Sequence, residues 1–166
     1  MAKVLQWIFR IISGSLILSL IVMLVVYYIV LRSIPDYNKT VELPGLISPI
    51  EIVRDTANVP HIYGDNDADI YFGLGYAHAQ DRLWQLVVKR LTAQGRLSEI
   101  FGKQALPLDI FMRRLDIYSQ AQKSVDVQDD RTKRALEAYA AGINARFLEI
   151  NLKSLGRGAP ELLIYN

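Results

Sequence analysis

The chain has 166 residues, no cysteine, a hydrophobic share of 51% and a formal charge of +2. Its length holds one domain at most, and without thiols it has no disulfide, no thiolate nucleophile and no cysteine-based zinc site. Nor does the charge mark a nucleic-acid binder: Lys3, Arg10 and Arg32 flank an apolar run, and the other 16 basic and 17 acidic side chains leave a net of −1, scattered rather than striped.

Residues 11–31 contain no charge. At about 1.5 Å per residue such a run spans roughly 31 Å as a helix, which matches a hydrocarbon core of about 30 Å. A cleaved secretory signal has an apolar region of only about 7 to 15 residues and ends in a small-x-small site. Here the run closes in Val-Leu-Arg-Ser-Ile-Pro, so residues 1–32 are expected to form an uncleaved, single-pass anchor with a short cytoplasmic tail. Lys3, Arg10 and the α-amino group precede the span, and this slight basic bias places the remainder on the extracytoplasmic side. Trp7, Tyr27 and Tyr28 lie near the ends of the run, where amphipathic rings favour the headgroup zone.

Residues 33–49 hold three prolines and a glycine without a sustained period and read as a linker or an extended lead-in. Residues 50–55 alternate and 61–63 form a second apolar run, with turn formers between them; this predicts a two-stranded hairpin with Pro60 at the start of its second strand. Asp67 or Asp69 is then expected to cap a helix beginning near Ile70. Ala79, Leu83, Leu86, Val87 and Leu91 supply its apolar spacing, and Gly73 and Gly75 would permit close packing by a neighbour. Gly95 and Gly102 read as stop or kink positions around an apolar turn of Leu97, Ile100 and Phe101. The last predicted helix covers 131–150, opened by Asp129 or Asp130, with one buried face of Leu136, Tyr139, Ala140, Ile143, Phe147 and Ile150. So small a set of elements makes a poor independent core, and residues 50–166 are expected to be part of a larger α+β fold.

Several side chains admit a chemical reading beside a structural one. His61 is a conceivable base, against a partly buried strand residue bonded to backbone. His78 with Asp81 or Arg82 has the spacing of a metal pair but lacks a third ligand, and the arginine opposes a cation. Arg113 and Arg114 suit a substrate carboxylate or a structural partner; Tyr71, Phe72, Tyr76 and Trp84 suit an aromatic acyl pocket or core packing. The favoured reading is structural in each case. Asp81 and Arg82, as immediate helix neighbours, cannot face one another. Arg54, Asp55, His61, Gln80, Asp81 and Arg82 are therefore expected to form a structural polar cluster, with Gln80 and Arg82 tying their helix to chain outside this sequence. No catalytic, substrate-binding or metal-ligating residue is assigned.

The order of the segments IVRDTANVPHIYG (52–64), GLGYAHAQDRLWQL (73–86), KRLTAQGRLSEIFG (89–102), DIFMRRL (109–115), AYAAGINARF (138–147) and APELL (159–163) resembles the amino-terminal part of the penicillin acylase, or penicillin amidase, family of N-terminal-nucleophile hydrolases. The resemblance implies a precursor that cuts itself into a small α chain and a large β chain. It also implies hydrolysis of an acyl amide by the serine that this cut exposes. The α-amine of that serine acts as base, titrating near 7.7 to 8.0 without help from histidine. Self-cleavage in the family usually exposes a serine after a glycine, and the one Gly-Ser step here, Gly14-Ser15, is in the apolar run. The expectation is thus a partial, mostly helical N-terminal-nucleophile fold with a short hairpin, inactive alone. Its expected partners are the missing β-chain portion, the lipid bilayer and, for the complete enzyme, an acyl-amide small molecule. That substrate is an N-acyl homoserine lactone, a β-lactam side-chain amide or another acyl amine. No cofactor is expected in this chain, and calcium is allowed in the complete family fold. The rival reading is a non-catalytic, membrane-tethered helical module or gene remnant.

Overall fold

The apolar run forms part of helix α1 (Ala2–Ser33). Within it the stretch Gln6–Leu31 is long and apolar enough to cross a membrane, and none of it is buried; a signal sequence meets the same criterion. The computed structural model describes residues 2–33 and 36–153.

The hairpin pairs β1 (Glu51–Arg54) with β2 (Pro60–Tyr63), antiparallel, with Ile52 opposite Ile62 and Arg54 opposite Pro60. Asp55 builds its turn. One carboxylate oxygen accepts the amides of Ala57 and Val59, each at 2.9 Å, while Asn58 takes a left-handed conformation at φ 62°, which asparagine tolerates better than most residues.

Helix α2 (Asp67–Gln94) starts earlier than the sequence suggests, and its cap is neither Asp67 nor Asp69. Asn66 is the N-cap: its side-chain oxygen accepts the Asp69 amide at 2.9 Å. Asp69 instead turns its buried carboxylate toward the lead-in. The helix is broken at Arg82, whose φ of −145° and ψ of 31° are not helical, and it ends at Gly95 in the left-handed region, φ 62°, where glycine carries no Cβ penalty.

Short helices α3 (Ser98–Phe101), α4 (Leu106–Leu115) and α5 (Ile117–Asp126), with a 3-10 turn at Gly102–Ala105, connect α2 to α6 (Asp130–Lys153). Asp129 opens α6, accepting the Thr132 amide at 2.9 Å. The Gly102 stop falls where expected, at φ 71°.

The core is the seam where α2 and α6 run side by side. Asp67 pairs with Arg131 near their starts, and Ala79 and Leu83 pack on Ile150 further along, with Leu86, Ile143 and Phe147 around them. At the crossing the two backbones nearly touch. A Cβ on Gly75 would lie 2.0 Å from the Tyr139 carbonyl oxygen, and one on Gly142 would lie 1.9 Å from that of Phe72. Gly73 serves the hairpin instead, facing Ile50 and Ile62. Burial of Phe72, Leu83 and Ile150 is nearly complete, contributing about 1.5–3 kcal/mol each.

The buried line of α6 differs from the expected stripe. It runs through Gly142, Arg146 and Ile150, whereas Leu136 is 44% exposed and Ala140 is also exposed. Backbone proximity at Gly142 sets this face, and an arginine occupies its middle.

Candidate functional site

The lead-in, residues 36–49, forms no regular element but is held at three points. Near its end, the amides of Ile47 and Ser48 donate to the two carboxylate oxygens of Asp69 at 2.9 and 2.8 Å. Burial would raise the Asp69 pKa; these two amides and the Asn66 side chain, which donates at 2.6 Å, hold it below the usual carboxylate range. Asp109 repeats the device on α4: 2% exposed, it accepts the Leu97 and Ser98 amides at 2.8 Å each. There too hydrogen bonds outweigh the upward push of burial. Replacing either aspartate by alanine leaves two donors without acceptor. Each loss of about 1–3 kcal/mol is expected to speed amide exchange roughly 5- to 150-fold, at Ile47 and Ser48 for Asp69→Ala and at Leu97 and Ser98 for Asp109→Ala. Exchange that changes at both pairs of amides in either variant would contradict two separate fasteners.

The second point is Arg54. Its guanidinium grips Asp81 through both terminal nitrogens, at 2.8 and 3.1 Å, and also donates to the Asn58 carbonyl at 3.1 Å and to Gln80 at 3.4 Å. Tyr37 of the lead-in lies against it with the guanidinium carbon 4.0 Å from the ring centroid, and its hydroxyl donates to Asp81 at 3.3 Å. Burial and the Asp81 charge push the Tyr37 pKa up.

Glu149 is the third. It accepts from the Tyr76 hydroxyl at 2.6 Å and from Arg146 at 2.8 Å, and it pairs with Lys39 of the lead-in. Burial alone would raise its pKa, yet the hydrogen bonds from Lys39, Tyr76 and Arg146 hold it down to about 2. Tyr76 is driven the other way, by burial first and the Glu149 carboxylate second. A cleft of about 390 Å³ lies between this lead-in, the hairpin and α2, with Arg54, Phe72, Tyr76 and Gln80 in its wall.

Of the six residues assigned to one polar cluster, the fold brings Arg54, Gln80 and Asp81 together. Asp55 and His61 form a separate pair at 3.2 Å on the hairpin, so His61 is exposed and bonded to a carboxylate rather than half-buried and bonded to backbone. Asp55 is held below its usual pKa chiefly by the Val59 amide, then by His61. Arg82 is exposed and donates to Gln85 at 3.1 Å; the break in α2 at this residue lets it part from its neighbour. His78 meets the Tyr139 hydroxyl at 2.9 Å. Arg113 donates to the Gly95 carbonyl at 2.8 Å, a structural pairing at the end of α2, while Arg114 is exposed. Phe72 and Tyr76 are buried, Tyr71 is 40% exposed, and Trp84 packs edge-on against Phe101 at 6.4 Å. The APELL stretch lies outside the described residues.

Tyr37, Lys39, Arg146 and Glu149 escaped the sequence reading. The i, i+3 spacing of Arg146 and Glu149 was a usable signal. The parts of Tyr37 and Lys39 depend on residues 44 and 110 positions away.

What these side chains define is a charge-fastened fold. Comparison with known proteins gives that fold a family. The penicillin amidase family model matches residues 49–165. Over 113 residues, 68% of the chain, it is 37% identical to a penicillin acylase 2 proenzyme from Pseudomonas sp. strain SE83 and 39% identical to the acyl-homoserine lactone acylase QuiP of Pseudomonas aeruginosa. It covers 15% and 13% of their respective lengths. A solved structure, the thermostable penicillin G acylase from Alcaligenes faecalis, matches with a TM-score of 0.60 at 27% identity, over 71% of this chain and 60% of that one. The chain belongs to the penicillin amidase family, hydrolases acting on amide bonds, and represents its N-terminal region.

Proposed function

We propose that this chain is the amino-terminal part of a membrane-anchored amidohydrolase that removes an acyl group from an amine through an acyl-enzyme. In this reading residues 36–166 contribute scaffold, while the nucleophilic serine, its α-amine base, the oxyanion donors and any calcium belong to the remaining polypeptide. Helix α1 holds the assembly in the bilayer with the rest on the extracytoplasmic side. The observation that carries the reading is the family match across residues 49–165, in a chain whose histidines are engaged with Asp55 and Tyr139. The named relatives act on penicillins and acyl-homoserine lactones, and both are the first substrates to try.

The test is to express the complete reading frame and the 166-residue chain side by side and to measure amine release from penicillin G and from an acyl-homoserine lactone. The long product is expected to mature into two chains and hydrolyse at least one of them, and the 166-residue chain neither. Activity of the short chain would place a nucleophile within it; an inactive, uncut long product would favour the non-catalytic module. Membrane flotation with and without residues 1–33 checks the anchor, which is expected to carry the chain into the lipid fraction only when present.

A further inference from the structure

Helix α4 meets the body through polar side chains and turns apolar ones away from it. The Asp109 carboxylate, 2% exposed, accepts the Leu97 and Ser98 amides, and Arg113 donates to the Gly95 carbonyl. Leu108, Phe111 and Leu115, spaced i, i+3 and i+7 along one side of the helix, are 41%, 54% and 49% exposed. A helix that faces solvent does the reverse, keeping its apolar stripe inward. Beyond Asp116 the pattern continues: α5 has no buried residue, and Ile117 and Tyr118 at its start are exposed as well. More than half of the large apolar side chains left exposed by the described residues outside α1 lie between Leu106 and Val127. Such a concentration marks a surface that a partner covers.

Charge and length indicate which partner. Residues 106–127 set Arg113, Arg114 and Lys123 against Asp109, Asp116 and Asp126, an even balance, whereas helices that lie on a membrane carry a basic polar face drawn to anionic lipid. Polypeptide fits the neutral, apolar face better. This chain covers 15% of the penicillin acylase 2 proenzyme and 13% of QuiP, so most of each relative lies outside the matched stretch. Resting on the longer amidohydrolase proposed above, we infer that the outer side of α4 and the start of α5 form a docking surface for the polypeptide that follows residue 166. In the mature protein that polypeptide buries Leu108, Phe111, Leu115, Ile117 and Tyr118.

The test places Phe111→Cys in the 166-residue chain, which has no cysteine of its own, and in the complete reading frame. Maleimide modification at position 111 is followed by peptide mass spectrometry in detergent, for the native protein and in urea. The 166-residue chain is expected to react at nearly its rate in urea. The mature complete protein is expected to react roughly 10-fold more slowly or less, because a buried thiol reacts only when its cover opens. A complete protein that matures, hydrolyses an acyl amide and still reacts at position 111 as fast as in urea overturns the inference and leaves the proposed function standing. An uncut, inactive long product removes the reading beneath both. Protection already present in the 166-residue chain places the cover within that chain, in a second copy or in the bound lipid or detergent, and overturns the inference too. Leu115→Cys is the second position, used if Phe111→Cys stops maturation. Phe111→Asp adds a readout without a label: it should leave the helix content of the 166-residue chain unchanged and lower the yield of mature complete protein, and an unchanged yield counts against the docking surface.

Discussion

Gly75→Ala and Gly142→Ala are each expected to destabilise the fold by about 3 kcal/mol, the upper part of the range for forcing extra carbon into a packed seam. Elsewhere in a helix the same change would favour the fold by nearly 1 kcal/mol through propensity. Here the added methyl meets backbone, 2.0 Å from the Tyr139 oxygen or 1.9 Å from the Phe72 oxygen, and backbone cannot swing aside. Because either methyl separates the same two helices, the double variant is expected to cost clearly less than the sum of the two. Gly14, inside α1 with nothing within 4 Å, is the control at which alanine should not destabilise. Urea unfolding in detergent, followed by the fluorescence of Trp84 in a Trp7→Phe background, measures all four. An unchanged midpoint for Gly75→Ala or Gly142→Ala would sink the close crossing.

Removing Glu149 is the second large effect. Arg146 is 3% exposed and its carboxylate partner is the fixed charge beside it. Glu149→Ala removes the carboxylate of a buried ion pair and keeps the guanidinium, a change that typically costs about 3–5 kcal/mol. If the cost is the lost charge balance, Arg146→Met added to Glu149→Ala should recover much of it; a double variant as unstable as the single would show that packing, not charge, is lost. The same residue makes a pH prediction. Its folded pKa of about 2 lies below its ordinary value of 4.5, so the stabilisation is complete above pH 4.5 and is lost as pH falls toward 2. Asp69, Asp109 and Asp129 are depressed as well and share the acid loss. The contribution of Glu149 is therefore the difference between the native chain and Glu149→Gln, which should narrow across that window. A constant difference from pH 6 to pH 2 would contradict the depressed carboxyl.

The hairpin, the long apolar helix, both glycine stops and the opening of α6 at Asp129 were all legible, because each is written in neighbouring residues. The Asn66 cap was legible and missed: asparagine stands three positions before Asp69, the spacing of a capping pair, but two aspartates nearby drew the assignment. Helices α4 and α5 are harder. They are separated by Asp116 in a left-handed conformation, φ 54°, without the glycine that usually marks such a break. Their apolar residues Phe111, Leu115, Ile117 and Tyr118 are also substantially exposed, so no buried stripe declares them. The polar site was half legible. Gln80 and Asp81 stand out in an apolar helix, but their partner Arg54 comes from a strand 26 and 27 residues earlier. The buried arginine of α6, Arg146, received no reading at all, because its face is set by the close contact at Gly142.

Each strand of the hairpin has one neighbour among the described residues, so each keeps an outer row of peptide groups that bond to water or to another chain. The two rows are unequal. That of β2 opens with a proline, which has no amide hydrogen to give, whereas β1 runs Glu-Ile-Val-Arg without interruption. An incoming strand thus finds its better template along β1. Supplied by the rest of the polypeptide, it would widen the ribbon into a sheet; withheld, it leaves an edge on which two copies can pair. Preparations of the isolated chain should be handled dilute for that reason.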